Sequence, residues 1–359
     1  MKAAILRAVN EPLEIEEVQL SDTGPREVRI RTAAAGICHS DLHFQDGKFP
    51  HPMPAVLGHE SAGIVEQVGS EVRYVKPGDH VVTCLSVFCG YCEYCLSGRP
   101  ALCRKVETRR RPEEGSRILQ NGKQVYQFLD VSSYAEELLV HEHAVVKVRE
   151  EIPLDRAALL GCGVTTGMGA VFNTAKVEPG ATVVVIGCGG VGLSAVQGAA
   201  IAGAGRVIAV DQIASKLDLA KSVGATDLVN ARDGDPVAQV HELCHGGVDY
   251  AFEAIGLKET AEQSFKMIKN GGTATIIGMI PLGTKLEFDG IDFLFEKKVQ
   301  GSNMGSNRFR VDLPKYVDFY LSGKLKLDEL ITHELPLEEI NKGFELLRQA
   351  EVARQIIRF

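Results

Sequence analysis

Short aliphatic and β-branched runs, broken by Gly, Pro and Asp, dominate residues 1–150. The runs Met1–Ala8, Leu13–Val18, Glu27–Thr32, His59–Val68 and His80–Cys84 read as strands, and Lys76-Pro77-Gly78-Asp79 as a turn between two of them. The pattern predicts an antiparallel, barrel-like domain with an irregular cysteine-rich loop at 85–105. From about Thr182 the rhythm changes. Apolar runs at Thr182–Ile186, Arg206–Val210, Asp249–Glu253 and Thr273–Gly278 alternate with helix-length stretches beginning at Gly190, Ser215 and Glu259. Strands buried on both faces and separated by helices predict parallel βαβ units. Beyond about Gly301 the pattern turns helical, over Leu313–Leu321 and Leu337–Leu347, before a strand-like Arg354–Phe359.

Composition narrows the class. A chain of 359 residues suggests two domains at roughly 150 residues each. With 45% hydrophobic and 24% charged residues it can bury large cores. The net charge of −8, with no Trp, makes it a poor nucleic-acid binder. Arg109-Arg110-Arg111 is followed at once by Glu113-Glu114, so the basic run reads as a solvated loop and not as an anion site. No apolar run reaches the ~18–20 residues of a membrane span. The first twenty residues lack the apolar core and cleavage site of a secretory signal. A cytoplasmic location follows as the expectation, with the nine cysteines serving as thiols or metal ligands.

Three constellations carry chemistry. In the first, the strand Val183-Val184-Val185-Ile186 runs into Gly187-Cys188-Gly189-Gly190-Val191-Gly192. Gly187 permits a tight turn, Gly189 lets the backbone approach a pyrophosphate, and Gly192 lets helix and strand pack closely, with phosphate charge favoured at the helix N-terminus. Asp211 ends the next strand, 19 residues beyond Gly192, near the ~20 expected of the acid that binds adenosine ribose hydroxyls. Its charge repels a 2′-phosphate and Gln212-Ile213 bring no compensating Arg, so NAD is expected over NADP. The second constellation is Cys89, Cys92, Cys95 and Cys103, a C-x2-C-x2-C-x7-C set suited to a closed tetrahedral Zn²⁺ site. An iron–sulfur cluster or a redox pair uses similar spacing. The third is dispersed: Cys38 in GICHSDLH, His59-Glu60 in VLGHE, and Cys162 in LLGCGVTTG. A Cys/His/Cys set suits zinc with an open fourth position, but spacing alone does not join these three residues, and each by itself reads more readily as a buried thiol or an ordinary histidine.

Taken in order, GICHSDLH, VLGHE, the four-cysteine lobe, LLGCGVTTG, VVVIGCGGVGL, VDQIASKLDLAKSVGATD and ITHELPLEEINKGFELL resemble the zinc-dependent medium-chain alcohol dehydrogenases over essentially the whole chain. The resemblance implies that Cys38, His59 and Cys162 bind a catalytic zinc, the Cys₂His set for which alcohol dehydrogenase is known. It implies that Cys89, Cys92, Cys95 and Cys103 bind a structural zinc, giving two zinc ions per chain. Glu60 is expected close behind the catalytic metal and Asp41 is expected to orient His59. Ser40 and His43 form the implied proton relay. His39 and Arg354 are expected near the cofactor pyrophosphate, Asp211 and Lys216 at the adenosine ribose, and Thr166 and Val191 against the nicotinamide. Phe49, Leu85 and Phe128 line the implied substrate pocket. The chain departs from longer animal members by a shortened stretch between Cys103 and Tyr134, and by Leu85 where many relatives have an aromatic residue.

The implied architecture is α/β: a GroES-like, β-rich catalytic domain from residues 1–163 and 304–359, with an inserted Rossmann domain of doubly wound parallel sheet at 164–303. The active site is expected in the cleft between them. The implied reaction is reversible oxidation of a primary or secondary alcohol to an aldehyde or ketone, by hydride transfer to NAD. The mostly apolar pocket residues favour a medium-size or aromatic primary alcohol. Neither nucleic acid nor membrane is an expected partner, and a homodimer or homotetramer is. Three other readings stand beside this one: a thiol-adduct, formaldehyde-type dehydrogenase of the same family, a zinc-free reductase on the same fold, and a non-enzymatic zinc and dinucleotide-binding protein.

Overall fold

The computed structural model describes residues 1–104, 106–350 and 352–359. The chain divides into two units. One comprises Met1–Cys162, Arg308–Gly323 and Ile331–Phe359, the other Gly163–Asn307 and Lys324–Leu330. Among the described residues no helix is long and apolar enough to cross a membrane.

The first unit contains two mostly antiparallel sheets, of six and seven strands. Its longest strand, Glu27–Ile37, alternates a buried face (Val28, Ile30, Thr32) with a more exposed one before its last four residues are wholly buried. Three strands pair with it. Glu60–Val68 and Glu137–His141 run antiparallel alongside, and Arg354–Arg358 pairs with its last residues, Gln355 lying opposite Ile37. This pairing brings the C-terminal strand beside Cys38. Ile5, Val28, Ile30, Val65, Val81 and Val140 belong to one core of the unit. Ile37, Leu57, Phe128, Tyr134, Ile340 and Phe344 belong to another, each side chain worth about 1.5–3 kcal/mol of burial.

The basic run departs from its expected place in solvent. Arg109 and Arg111 are exposed, but the Arg110 side chain is only 13% accessible and, with Arg117, grips the buried carboxylate of Glu27 (Arg110 Nε–Oε1 2.8 Å, Arg117 Nε–Oε1 2.7 Å). Burial pushes the Glu27 carboxyl up, and the two guanidiniums overcome this and hold it at about 2. A charge this deep is tolerable only when paired, which is why one residue of an otherwise solvated triplet turns inward.

The second unit is built on one parallel sheet, ordered Asp227–Asn230, Arg206–Asp211, Thr182–Ile186, Val248–Glu253, Ile268–Ile276 and Lys298–Gly301. Starting from Thr182–Ile186, the chain adds two strands on one side, then three on the other. The carboxyl end of Thr182–Ile186 is therefore the switch point at which open α/β sheets bind ligands, and Gly187 stands there. Two strands, Asp227–Asn230 and Lys298–Gly301, and the helix Pro236–Cys244 escape the hydrophobic pattern.

Candidate functional site: two metal sites and a dinucleotide turn

Cys38 is the extended residue between the strand Glu27–Ile37 and the short helix His39–Gln45. The helix carries His39, Ser40, Asp41 and His43. Asp41 faces inward with no exposed surface, and its Oδ1 accepts hydrogen bonds from the Gly58 N–H (3.1 Å) and His59 Nδ1 (3.0 Å). Gly58 has φ +87°, and a Cβ there would lie 2.7 Å from the Tyr134 backbone nitrogen, so only glycine fits. With Nδ1 committed to Asp41, His59 presents Nε2 to Cys162 Sγ at 3.3 Å. Donor atoms of Cys38, His59, Glu60 and Cys162, all buried, lie within 4.8 Å of one another. The pairing of Glu27–Ile37 with Glu60–Val68 brings Cys38 and His59 together, and the turn that ends at Gly161 adds Cys162, so the fold joins the three residues that spacing left apart.

The electrostatics suit a cation. A hydrogen bond from the Cys162 thiol, then His59 and Arg354, draw Cys38 well below the ordinary thiol range against the effect of burial. The same hydrogen bond and burial push Cys162 up. Burial opposes charge on His59, while Asp41 and Cys38 raise it well above the usual imidazole range. A divalent ion at this point would replace the thiol protons. Behind the set, Glu60 has no exposed surface and is paired with the buried Arg354, whose Nε has no hydrogen-bond partner among the described residues. Ser40 Oγ lies 3.7 Å from Cys38 Sγ. His43 is half-buried beside Lys48 (Nδ1–Nζ 3.3 Å), and burial, with the charges of Lys48 and His39, lowers its pKa.

The four-cysteine lobe also has the dimensions of a mononuclear site. Cys89–Cys95, Cys92–Cys95 and Cys92–Cys103 sulfurs are 3.9, 3.5 and 3.8 Å apart. Tetrahedral zinc with Zn–S of ~2.3 Å requires sulfurs ~3.8 Å apart. The sulfurs surround space for one ion, too little for a multi-iron cluster. Backbone N–H groups of Cys89 and Cys92 point at Cys103 Sγ and Cys89 Sγ, both at 3.3 Å, as they would toward thiolates. No disulfide involves any of the nine cysteines.

In the second unit the glycine turn has the geometry of a phosphate cradle. Gly187 takes φ +95°, and a Cβ on Gly192 would sit 1.7 Å from the Gly187 carbonyl oxygen. Around Gly189, the residue before the helix Gly190–Ile201, a Cβ would meet open space, which leaves the backbone accessible to a ligand. Asp211 accepts from the Cys188 and Ile213 N–H groups (2.7 and 3.0 Å) and so fixes the end of its strand against the turn. Lys216 is buried on the helix Ala214–Ser222, Val191 is half-buried in the first turn of Gly190–Ile201, and Thr166 Oγ1 lies 3.5 Å from Met304 Sδ.

An aromatic row approaches the Cys38 set. The Phe128 ring is 6.0 Å from His59, 4.7 Å from Phe44 and 5.2 Å from His51, and Phe49 is 5.8 Å from Phe44. Leu85 is half-buried at the end of His80–Cys84, the strand that pairs with Glu60. Of the aromatic residues expected to line the pocket, Phe49 is half-buried, whereas Phe128 has no exposed surface and belongs to the core behind Phe44; sequence reasoning missed Phe44 and His51. It also missed Tyr134, whose hydroxyl donates to Asp41 Oδ2 at 2.8 Å.

Comparison with known proteins agrees with this geometry. The alcohol dehydrogenase GroES-like domain family matches residues 24–150, and the zinc-binding dehydrogenase family matches residues 190–322. An alcohol dehydrogenase class-3 of Pisum sativum is 40% identical, over 99% of this chain and 97% of that protein. The crystal structure of benzyl alcohol dehydrogenase from Acinetobacter calcoaceticus superposes with TM-score 0.94 at 35% identity, covering 100% of this chain and 99% of that one. A zinc-binding dehydrogenase of Sinorhizobium meliloti solved with NADP superposes at TM-score 0.85 and 30% identity, with the same coverage. With such likeness along its full length, and both cysteine-rich metal sets assembled, this chain belongs to the zinc-dependent medium-chain alcohol dehydrogenases.

Proposed function

We propose that the enzyme oxidises a medium-size or aromatic primary alcohol with NAD, carrying a catalytic zinc at Cys38, His59 and Cys162 and a structural zinc at Cys89, Cys92, Cys95 and Cys103. The observation that carries this reading is the buried convergence of two thiols and a carboxylate-oriented imidazole, a donor set of zinc chemistry. When bound, zinc supplies Lewis acidity and the dinucleotide exchanges the hydride. The chain's residues position and exclude. The half-buried Phe44 and Phe49 rings, with the fully buried Phe128 packed behind Phe44, make one wall apolar, suited to an aromatic ring beside the reacting carbon. Ser40 holds the substrate hydroxyl proton beside Cys38, and His43 takes it onward. Arg354 and His39 meet the pyrophosphate, while Thr166 and Val191 pack on the nicotinamide. A reducing cytoplasm suits nine cysteines in which no disulfide forms.

NADH absorbance over a panel of alcohols, with NAD and with NADP, tests the reading. Formaldehyde with and without glutathione forms a further arm. Benzyl-type alcohols are expected to give the highest kcat/KM, and absence of NAD-linked turnover on the whole panel overturns the reading. Asp211 sets the cofactor choice through its charge and its hold on the glycine turn. Losing a hydrogen bond to a charged group costs about 1.5–3 kcal/mol, so Asp211→Gly should cut the NAD preference roughly 10–100-fold. Equal kcat/KM for NAD and NADP in the parent contradicts the assignment.

We also propose that a second copy covers the sheet edge formed by Lys298–Gly301. Among the described residues that strand pairs on one side only, and the segment before it exposes Leu282, Ile291, Leu294 and Phe295, Leu294 at 77%. An open edge beside exposed apolar residues is an association surface. Sedimentation is expected to show a dimer or tetramer, with Leu294→Asp shifting it toward monomer; a monomeric parent ends this proposal.

A further inference from the structure

Asp41 is held by three segments of the chain. Its own helix, His39–Gln45, carries it. The Gly58-His59 corner donates twice to Oδ1, and Tyr134 donates once to Oδ2 at 2.8 Å. Asp41, His59 and Tyr134 have no exposed surface, so water cannot take over any of these bonds. A carboxylate anchored through one oxygen can swing about its Cβ–Cγ bond, and the imidazole it orients swings with it. Anchored through both oxygens, it is fixed in plane and direction.

The phenol is itself rigidly placed. The Tyr134 carbonyl accepts from the Ala4 N–H (2.8 Å), and the Tyr134 N–H donates to the Leu57 carbonyl (3.1 Å). Its ring abuts the space where a Gly58 Cβ would stand, and it meets Phe344 edge-on at 6.2 Å. Burial and the nearby Asp41 charge raise the phenol pKa, which keeps it a protonated donor.

We propose that Tyr134 is a positioning residue for the zinc ligand His59, acting through Asp41. The inference rests on reading Cys38, His59 and Cys162 as a zinc set, and adds to that set a third layer of support. The Tyr134 hydroxyl bonds to Asp41 Oδ2, with the Gly36 carbonyl oxygen as a longer second acceptor at 3.4 Å, and so acts on the ligand set through Asp41. Its effect is to stop the Asp41 carboxylate from turning, which fixes the His59 ring with Nδ1–H on Asp41 and the Nε2 lone pair toward the metal. Partners of this kind behind a metal ligand are worth roughly 10–100-fold in affinity. Tyr134 stands one bond further out, so the low end of that range applies.

The test uses the full-length enzyme loaded with zinc and follows release to a chromogenic chelator. Cys162→Ser identifies which release phase belongs to the catalytic set. Tyr134→Phe, which removes one oxygen and keeps the ring, is expected to speed that phase about 10-fold and leave the four-cysteine phase unchanged. Co²⁺ exchanged into the same site should show a shifted visible spectrum. Asp41→Asn should show an effect at least as large, and Tyr134→Phe should add nothing in that background. Phe344→Leu, which loosens the packing on the same ring without touching the hydrogen bond, should lower Tm but not alter release. Unchanged release and spectrum in Tyr134→Phe overturn the proposal, as does full additivity with Asp41→Asn. If the parent holds no zinc on Cys38, His59 and Cys162, this proposal and the functional reading fall together. If it holds zinc and turns over alcohol while Tyr134→Phe releases normally, only the proposal falls.

Discussion

Cys162→Ser is expected to abolish alcohol oxidation in a folded enzyme, and Cys103→Ser to destabilise an enzyme whose remaining folded fraction still turns over. The two sets differ in what surrounds them. Cys38 and His59 adjoin strands fixed by sheet pairing, Glu27–Ile37 with its partners on both sides and Glu60 opposite Cys84, and Cys162 follows Gly161, which packs so closely on the paired strand His80–Cys84 that a Cβ there would lie 2.5 Å from the Thr83 carbonyl oxygen. Removing one sulfur there leaves that framework intact but loses the polarising ion. Lewis-acid stabilisation is worth several kcal/mol, and each ~1.4 kcal/mol is tenfold, so a loss of about 10³-fold or more follows. The four-cysteine lobe has no such framework. Between His80–Cys84 and Ile118–Gln120 the described residues form only the four-residue helix Glu93–Leu96 and short 3₁₀ turns, with Tyr91, Leu96 and Leu102 exposed. Zinc supplies folding free energy in such a segment, and its loss should lower Tm by roughly 5–10 °C. Zinc analysis, circular dichroism melts and activity measured on the same preparations check both. Each variant should hold one zinc where the parent holds two. The opposite division of stability and activity would exchange the two assignments.

The legibility of these features from sequence follows the distance over which each is decided. Thr182–Ile186 and His80–Cys84 were read to the residue because β-branched runs between turn formers are local signals. The glycine turn and the four-cysteine lobe are equally local. Glu27–Ile37 runs past its expected end at Thr32, through Ala33-Ala34-Ala35-Gly36. Those residues have little strand preference of their own, and pairing with Glu60–Val68 and Arg354–Arg358 holds them extended. The strand Asp227–Asn230 was invisible for the converse reason, four residues with polar ends. The helix Pro236–Cys244 went unread although it carries a local start signal, the Asp235 cap bonded to the Val237 N–H at 3.0 Å and Pro at its first position. Cys38, His59 and Cys162 could be joined only by family resemblance. Arg110 and Tyr134 carried no signal, because what distinguishes them is a buried carboxylate contributed by a distant part of the chain.

Ser40→Ala and His43→Ala should separate the two ends of the proton route. Oxidation leaves the alcohol's hydroxyl proton to be removed from beside the metal set. On the proposed route Ser40, whose Oγ lies 3.7 Å from Cys38 Sγ, is the inner end, and His43, one turn along the same helix, is the outer. Burial and the positive neighbours Lys48 and His39 place the His43 pKa below the usual imidazole value of about 6.5. The sign follows. Across pH 7–8 the ring is neutral and able to accept a proton, and relay through it fails as pH drops through that lowered pKa. The same positive neighbours make the imidazolium short-lived, which favours onward release to solvent. General-base steps contribute typically 10²–10⁴-fold, and bulk water compensates in part at an outer position, so His43→Ala should slow hydride transfer about 10–100-fold near pH 7. The deficit should shrink as pH rises, and added imidazole should restore rate. Ser40→Ala should cost more, about 10²–10³-fold, without rescue, since no external base reaches the inner link. Product release can mask both effects in steady state, so the measurement is single-turnover hydride transfer across pH at saturating NAD. If His43 only steadies the bound cofactor, its loss raises the NAD concentration needed and leaves the pH profile unmoved. A His43→Ala rate tracking the parent at every pH would therefore remove His43 from the route and leave Ser40 to pass the proton directly to water.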